Sequence, residues 1–190
     1  CLFQNALEEY QKSKEYFDKA ELSFHSAYAL YNIATAYSKL RDYDNAIKYL
    51  LKSEEQFSEN GYSLYQFETQ IELCYNYLQI DDFNSCANVF ARIDKSANIG
   101  YSYCDYYCIY AILSAHSGNF VDAKTYISKA KTEQIINPMQ LAYSEYKIMK
   151  ICGDDSDALT MYSEMIAEQD KFVFNAINNS LLQSQVDLLS

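Results

Sequence analysis

The chain has 190 residues and a formal net charge of −11, with 49% hydrophobic residues, four glycines and one proline. That apolar content excludes a disordered segment, and the scarcity of chain breakers excludes an all-β or loop-rich fold in favour of long helices. The acidic balance speaks against phosphate backbones and anionic membrane surfaces as partners, and no apolar run is long enough to span a bilayer.

Cys1, in place of a methionine, reads as a boundary inside a longer chain, with the lipidated cysteine of a processed lipoprotein as the alternative. The residues after it, Leu2-Phe3-Gln4-Asn5-Ala6-Leu7, begin a helix predicted over 2–21. Further along, LRDYDNAIKYLLKS (40–53) returns as IDDFNSCANVFARI (80–93), as SGNFVDAKTYISKA (117–130) and, more loosely, as GDDSDALTMYSEMI (153–166). Each phrase is a turn of small or acidic residues followed by a helix. A small residue anchors that helix (Ala46, Cys86, Ala123, Ala158), and an apolar residue stands four later (Leu50, Phe90, Ile127, Tyr162). Ala6 with Tyr10 fits as an isolated second half, so the anchors are spaced 40, 40, 37 and 35 residues apart.

A second helix precedes each anchor. Leu30, Ile33, Ala34 and Tyr37 lie before Ala46; Leu73, Cys74 and Tyr77 before Cys86; Tyr107, Tyr110, Ala111 and Ser114 before Ala123. Spacings of three, four and seven place these residues on one helix face. The unit is helix, short turn, helix, and a final helix over 171–189 carries Phe174, Ile177, Leu181 and Leu188.

This pattern resembles the tetratricopeptide repeat (TPR), as found in bacterial regulatory and sensor proteins. The family has a large residue at motif position 4, large-small at 7 and 8, an aromatic at 11, small residues at 20 and 27 and an apolar residue at 24. Leu30, Ile33-Ala34, Tyr37, Ala46, Leu50 and Ser53 fit it well. Gln70, Leu73-Cys74, Tyr77, Cys86, Phe90 and Ile93 fit less closely, as do Tyr107, Tyr110-Ala111, Ser114, Ala123, Ile127 and Ala130. The fourth copy is degenerate: Ala142, Glu145-Tyr146 and Met149 depart from the pattern. The periods exceed the family's usual 34 residues, which implies longer helices.

The resemblance implies an all-α, right-handed superhelical solenoid of antiparallel helix pairs with about ten helices. Its divisions are an orphan second helix at 1–22, repeats at 27–66, 67–103, 104–138 and 139–169, and a capping helix at 170–190. It also implies a concave peptide-binding face formed by the first helix of each pair. Carried over by motif position, that face holds Tyr28, Tyr31, Asn32, Thr35, Glu68, Ile71, Glu72, Tyr75, Asp105, Cys108, Ile112, Tyr143 and Lys147. The subgroup that clamps a C-terminal carboxylate uses Lys and Asn where Tyr31 and Thr35 stand, so that mode is excluded.

Catalytic constellations are not evident. His25 and His116 are far apart in sequence, and the glycines are isolated turn residues. Asp81-Asp82 and Asp154-Asp155 sit at helix starts, where N-capping accounts for them. The densest run of special residues is YSYCDYYCIY (101–110). Its Tyr107, Tyr110 and Ala111 are core positions, and Cys104 and Cys108, four apart, read as small apolar fillers rather than a metal or redox site. Cys74 and Cys86 occupy touching positions and read as two buried thiols, a disulfide being the alternative in an oxidising compartment. The expectation is therefore a non-enzymatic, cytoplasmic scaffold that binds a protein or peptide without metal or cofactor, as the interaction part of a larger regulatory protein. A ligand-responsive sensor domain and a repeat-bearing surface or periplasmic lipoprotein are the alternatives.

Overall fold

A computed structural model describes residues 2–94, 103–133 and 138–154, together with Thr160, Ser163 and Ala167. The described residues form eight helices: α1 (Leu2–Lys19), α2 (Ser23–Lys39), α3 (Tyr43–Glu59), α4 (Ser63–Gln79), α5 (Phe83–Phe90), α6 (Cys104–His116), α7 (Phe120–Thr132) and α8 (Pro138–Cys152). They follow the anticipated alternation, beginning with an orphan second helix. The remaining two expected helices, with Ala158, Tyr162 and the segment at 171–189, lie outside the described residues.

From α2 to α5 the helices start at Ser23, Tyr43, Ser63 and Phe83, one every 20 residues. Helices α2, α3 and α4 each have 17 residues, about 25 Å of axis, and three-residue turns join them. Each turn reverses the chain through one residue in the left-handed region: Glu21 (φ 55°), Arg41 (φ 61°), Gly61 (φ 73°) and Asp81 (φ 59°). Two backbone hydrogen bonds then close over the helix end. At α3, the Tyr62 N–H donates to the Phe57 carbonyl (2.9 Å) and the Gly61 N–H to the Ser58 carbonyl (3.2 Å), which satisfies carbonyls the helix itself cannot. Asp42, Asp82 and Asn119 start the second helices, their side chains accepting the N–H of Asn45 (3.2 Å), Ser85 (3.0 Å) and Asp122 (3.2 Å). The long helices and uniform turns account for a 40-residue period.

The small residues lie where helices cross. Ala34 and Ala46 are fully buried, as are Cys74 and Cys86, whose thiol and carbonyl stand 3.7 Å apart; Ala111 and Ala123 are buried likewise. Leu30, Ile33, Leu50 and Leu73 fill the space beside them. Ser53, at a small position, turns its hydroxyl onto the Ala27 carbonyl at 2.9 Å, so it enters the core without an unmet donor.

The chain divides into two compact units, Cys1–Tyr101 and Ser102–Ser190. The first holds α1 to α5, packed in sequential pairs. Leu7 of α1 packs on Ile33 and Ala36 of α2, flanked by Tyr37 and Tyr49, so the orphan helix covers the open end of the first hairpin. In the second, α6 packs against both α7 and α8. Cys104, Cys108, Ala130 and Leu141 form one apolar cluster there, with Tyr107 and Ile127 against it, so both cysteines of the tyrosine-rich run pack as small apolar side chains.

Candidate functional site

In the first unit, α2 and α4 lie side by side as first helices of successive pairs. Contacts at both ends set their register. Phe24 of α2 meets Tyr62, which caps the start of α4, and Tyr65 of α4, with ring centres 5.0 and 4.8 Å apart. At the far end the Ser38 hydroxyl donates to the Asn76 side-chain oxygen at 2.7 Å. Residues 24, 28, 31, 35 and 38 therefore form one strip along α2, level with 62, 65, 68, 72 and 76 on α4.

This two-strip face has three zones. The first is aromatic. Phe24, Tyr28 and Tyr31 stack along α2 with centres 6.1 and 6.0 Å apart and planes within 9° and 15° of parallel. Tyr65 stands edge-on to Tyr28 at 6.0 Å. Beneath them Phe57, fully buried, braces Phe24, Tyr62 and Tyr65. Tyr28 keeps 41% of its surface open. The middle zone is acidic, with Glu68 and Glu72 half-buried on α4 opposite Tyr31 and Thr35. The Thr35 hydroxyl is committed to the Tyr31 carbonyl at 3.0 Å. The third zone is the Ser38–Asn76 pair, where the Asn76 amide also donates to the Glu72 carbonyl at 2.8 Å.

Burial separates the anticipated face residues. Tyr28, Tyr31, Asn32, Thr35, Glu68 and Glu72 are exposed or half-exposed, and the register above brings Tyr28, Tyr31, Thr35, Glu68 and Glu72 together; Asn32 lies beside them on α2. Ile71 and Tyr75 retain only 6% and 5% of their surface. Helix α4 packs against both α3 and α5, which leaves a narrow strip of it open. In the second unit Asp105 of α6 is half-exposed, as is Lys147 of α8, whose ammonium stands 5.9 Å from the Tyr143 ring centre. Cys108 and Ile112 are fully buried and Tyr143 is nearly so. Cys108 belongs to the apolar cluster that includes Leu141 of α8, and α6 packs along α8.

A polar tie that the repeat pattern does not announce lies between α3 and α4. Glu54, buried, accepts from the Gln70 amide at 2.8 Å and pairs with Arg92 at 3.2 Å. The hint in the sequence is Gln70 itself, an amide at a position where the pattern asks for a large apolar side chain. Among the described residues no three His, Cys, Asp or Glu side chains converge closely enough to hold a metal ion. Burial pushes the Cys104 and Cys108 thiols up, away from the thiolate form. Cys74 is raised too, by the contact with Cys86 first and by burial second. Among the described residues no helix is long and apolar enough to cross a membrane.

The sequence matches no protein-family model and no curated protein. Its fold is similar to solved structures. The apo form of RapI superposes with a TM-score of 0.63 at 19% identity, over 90% of this chain and 63% of that one. This chain thus spans less than two thirds of RapI. Two structures of a putative kinesin light chain from Podosopora anserina, described as nearly identical TPR-like repeats, superpose at 15% identity. One, a point variant, has a TM-score of 0.56 over 89% of this chain and 87% of that one; the other has 0.55 over 89% and 88%. At these identities the likeness establishes the fold, an all-α TPR-like array of helical hairpins.

Proposed function

We propose that this protein is a binding scaffold whose α2/α4 face takes up an extended segment of another protein or peptide. One observation carries the reading: a continuous aromatic strip (Phe24, Tyr28, Tyr31, Tyr65) is half-open on a two-helix face that also carries the half-buried polar groups Thr35, Glu68 and Glu72. Tyrosine offers a flat apolar surface and a hydroxyl at low entropic cost, which suits contact with a peptide backbone and its side chains. Stacking on neighbouring rings fixes each plane before a partner arrives, so less freedom is lost on binding. The reading involves no chemical step; Cys74, Cys104 and Cys108 are buried, and their thiols are pushed away from the thiolate form.

A direct test is capture from an array of immobilised octapeptides of random sequence by the full chain, followed by titration of the captured peptides in solution. The double variant Tyr28→Ala/Tyr31→Ala should lose affinity by about tenfold or more, as expected when central aromatic contacts are removed. Unchanged affinity would exclude this face.

The regulatory form of the proposal adds that a bound segment alters how the hairpins pack and so signals to the rest of a larger assembly. Faster amide exchange in α4 of the free chain than of the peptide-bound chain would support it; identical exchange would limit the protein to holding its partner.

A further inference from the structure

Glu68 stands out on the α2/α4 face. Its side chain is half-buried on α4, one turn after Tyr65, whose ring stands edge-on to Tyr28 of α2. Among the described residues its side chain makes no hydrogen bond and no ion pair, and burial alone raises its affinity for a proton. Several other acidic groups in the same unit are compensated. Glu54 has Gln70 and Arg92, Asp18 has Lys14 and Ser26, and Asp42 and Asp82 accept helix N–H groups. Drawing a carboxylate partly out of water without a partner costs stability, and glutamine would fill the same space at a lower cost. An uncompensated charge at the join of the aromatic and acidic zones fits a group whose partner comes from outside.

We infer that Glu68 is the specificity-determining residue of this face, and that it selects segments carrying a basic side chain, arginine or lysine, at one defined position. Such a group has two parts that suit the two zones. Its aliphatic stem and cationic head can lie against an aromatic ring, where a cation is attracted to the ring face, and its head can pair with a carboxylate. Arginine matches best, because its planar fork stacks on a ring while donating two hydrogen bonds to one carboxylate. The chain's net charge of −11 favours the approach of such a segment. Glu72, one turn further along the strip, extends the negative region in the direction an extended peptide would run.

This inference rests on the binding role proposed for the face, and one experiment separates the two. The octapeptide array is probed with the full chain and with Glu68→Gln, which keeps the shape and removes the charge. Peptides captured by the unaltered chain should be enriched in Arg or Lys at one position, and the enrichment should vanish with Glu68→Gln while capture continues. A captured peptide resynthesised with citrulline in place of that arginine should bind the unaltered chain about tenfold more weakly and bind Glu68→Gln within about twofold of the arginine form, since the pair is coupled. Thermal unfolding of Glu68→Gln at neutral pH, no lower than that of the unaltered chain, establishes that the variant is folded. Capture without basic enrichment, or enrichment that survives Glu68→Gln, would overturn the role of Glu68 and leave the binding face standing. No capture by the unaltered chain would overturn both.

Discussion

Gly61 and Asp81 hold equivalent seats in two turns, with φ of 73° and 59°. A Cβ added at Gly61 meets nothing within 4 Å, so Gly61→Ala reads backbone strain alone and should lower stability by about 1 kcal/mol in urea unfolding. Asp81→Gly relieves the same strain and should be neutral or stabilise by up to about 1 kcal/mol, offset by added freedom in the unfolded chain. Glu68 gives a pH signature. Burial raises its folded pKa above the ordinary 4.5, so the folded protein binds the proton more tightly than the unfolded chain does. That contribution to stability is complete below 4.5 and is lost as pH rises through the raised value. Glu68→Gln should therefore have the higher midpoint of thermal unfolding at pH 7 to 8, with the advantage shrinking as pH falls towards 4.5. Cysteine accessibility is a third residue-level test. Cys152 is exposed, whereas Cys74, Cys86, Cys104 and Cys108 are buried. Brief alkylation of the native protein, read by mass spectrometry, should label Cys152 well before those four.

At the scale of elements, stability rests on close crossings and on one polar tie. Ala46 and Cys86 are fully enclosed, so Ala46→Leu or Cys86→Leu should cost about 1–3 kcal/mol by overpacking. Gln70→Leu should cost a similar amount, about 1–3 kcal/mol, because Glu54 loses the amide that faces it in the interior. The pair Glu54→Leu/Gln70→Leu should recover most of that loss, since both buried partners become apolar and Arg92, exposed, keeps its hydration. Urea unfolding of Gln70→Leu, Glu54→Leu and the double variant checks the cycle. These elements also mark what could be read in the sequence. Large-small pairs at fixed spacing identify the crossings because only small side chains fit where helices nearly touch. The 20-residue rhythm of helix starts was hidden because Glu21, Arg41 and Asp81 occupy turn positions that glycine usually signals. The Glu54–Gln70–Arg92 tie joins positions up to 38 residues apart, which no local pattern reveals.

At the scale of the whole molecule, the repeat pattern announces a face, and burial decides how much of it is open. Motif position alone assigned Ile71, Tyr75, Cys108, Ile112 and Tyr143 to that face, although helix packing encloses all five. Position in a repeat fixes the direction of a side chain, while exposure depends on the size and closeness of neighbouring helices, which the motif does not encode. The acidic charge adds a prediction for the intact chain: affinity for a basic segment should fall as salt is raised, because much of the attraction acts through solvent. The location of binding is tested most directly by photocrosslinking. Tyr28 on the α2 strip and Leu51 on α3 are equally exposed, at 41% each, so a photoreactive phenylalanine analogue placed at either position meets solvent to the same extent. With a captured peptide bound, crosslinks should form from position 28 and not from position 51. Crosslinks from position 51 with position 28 silent would contradict the assignment of binding to the α2/α4 face.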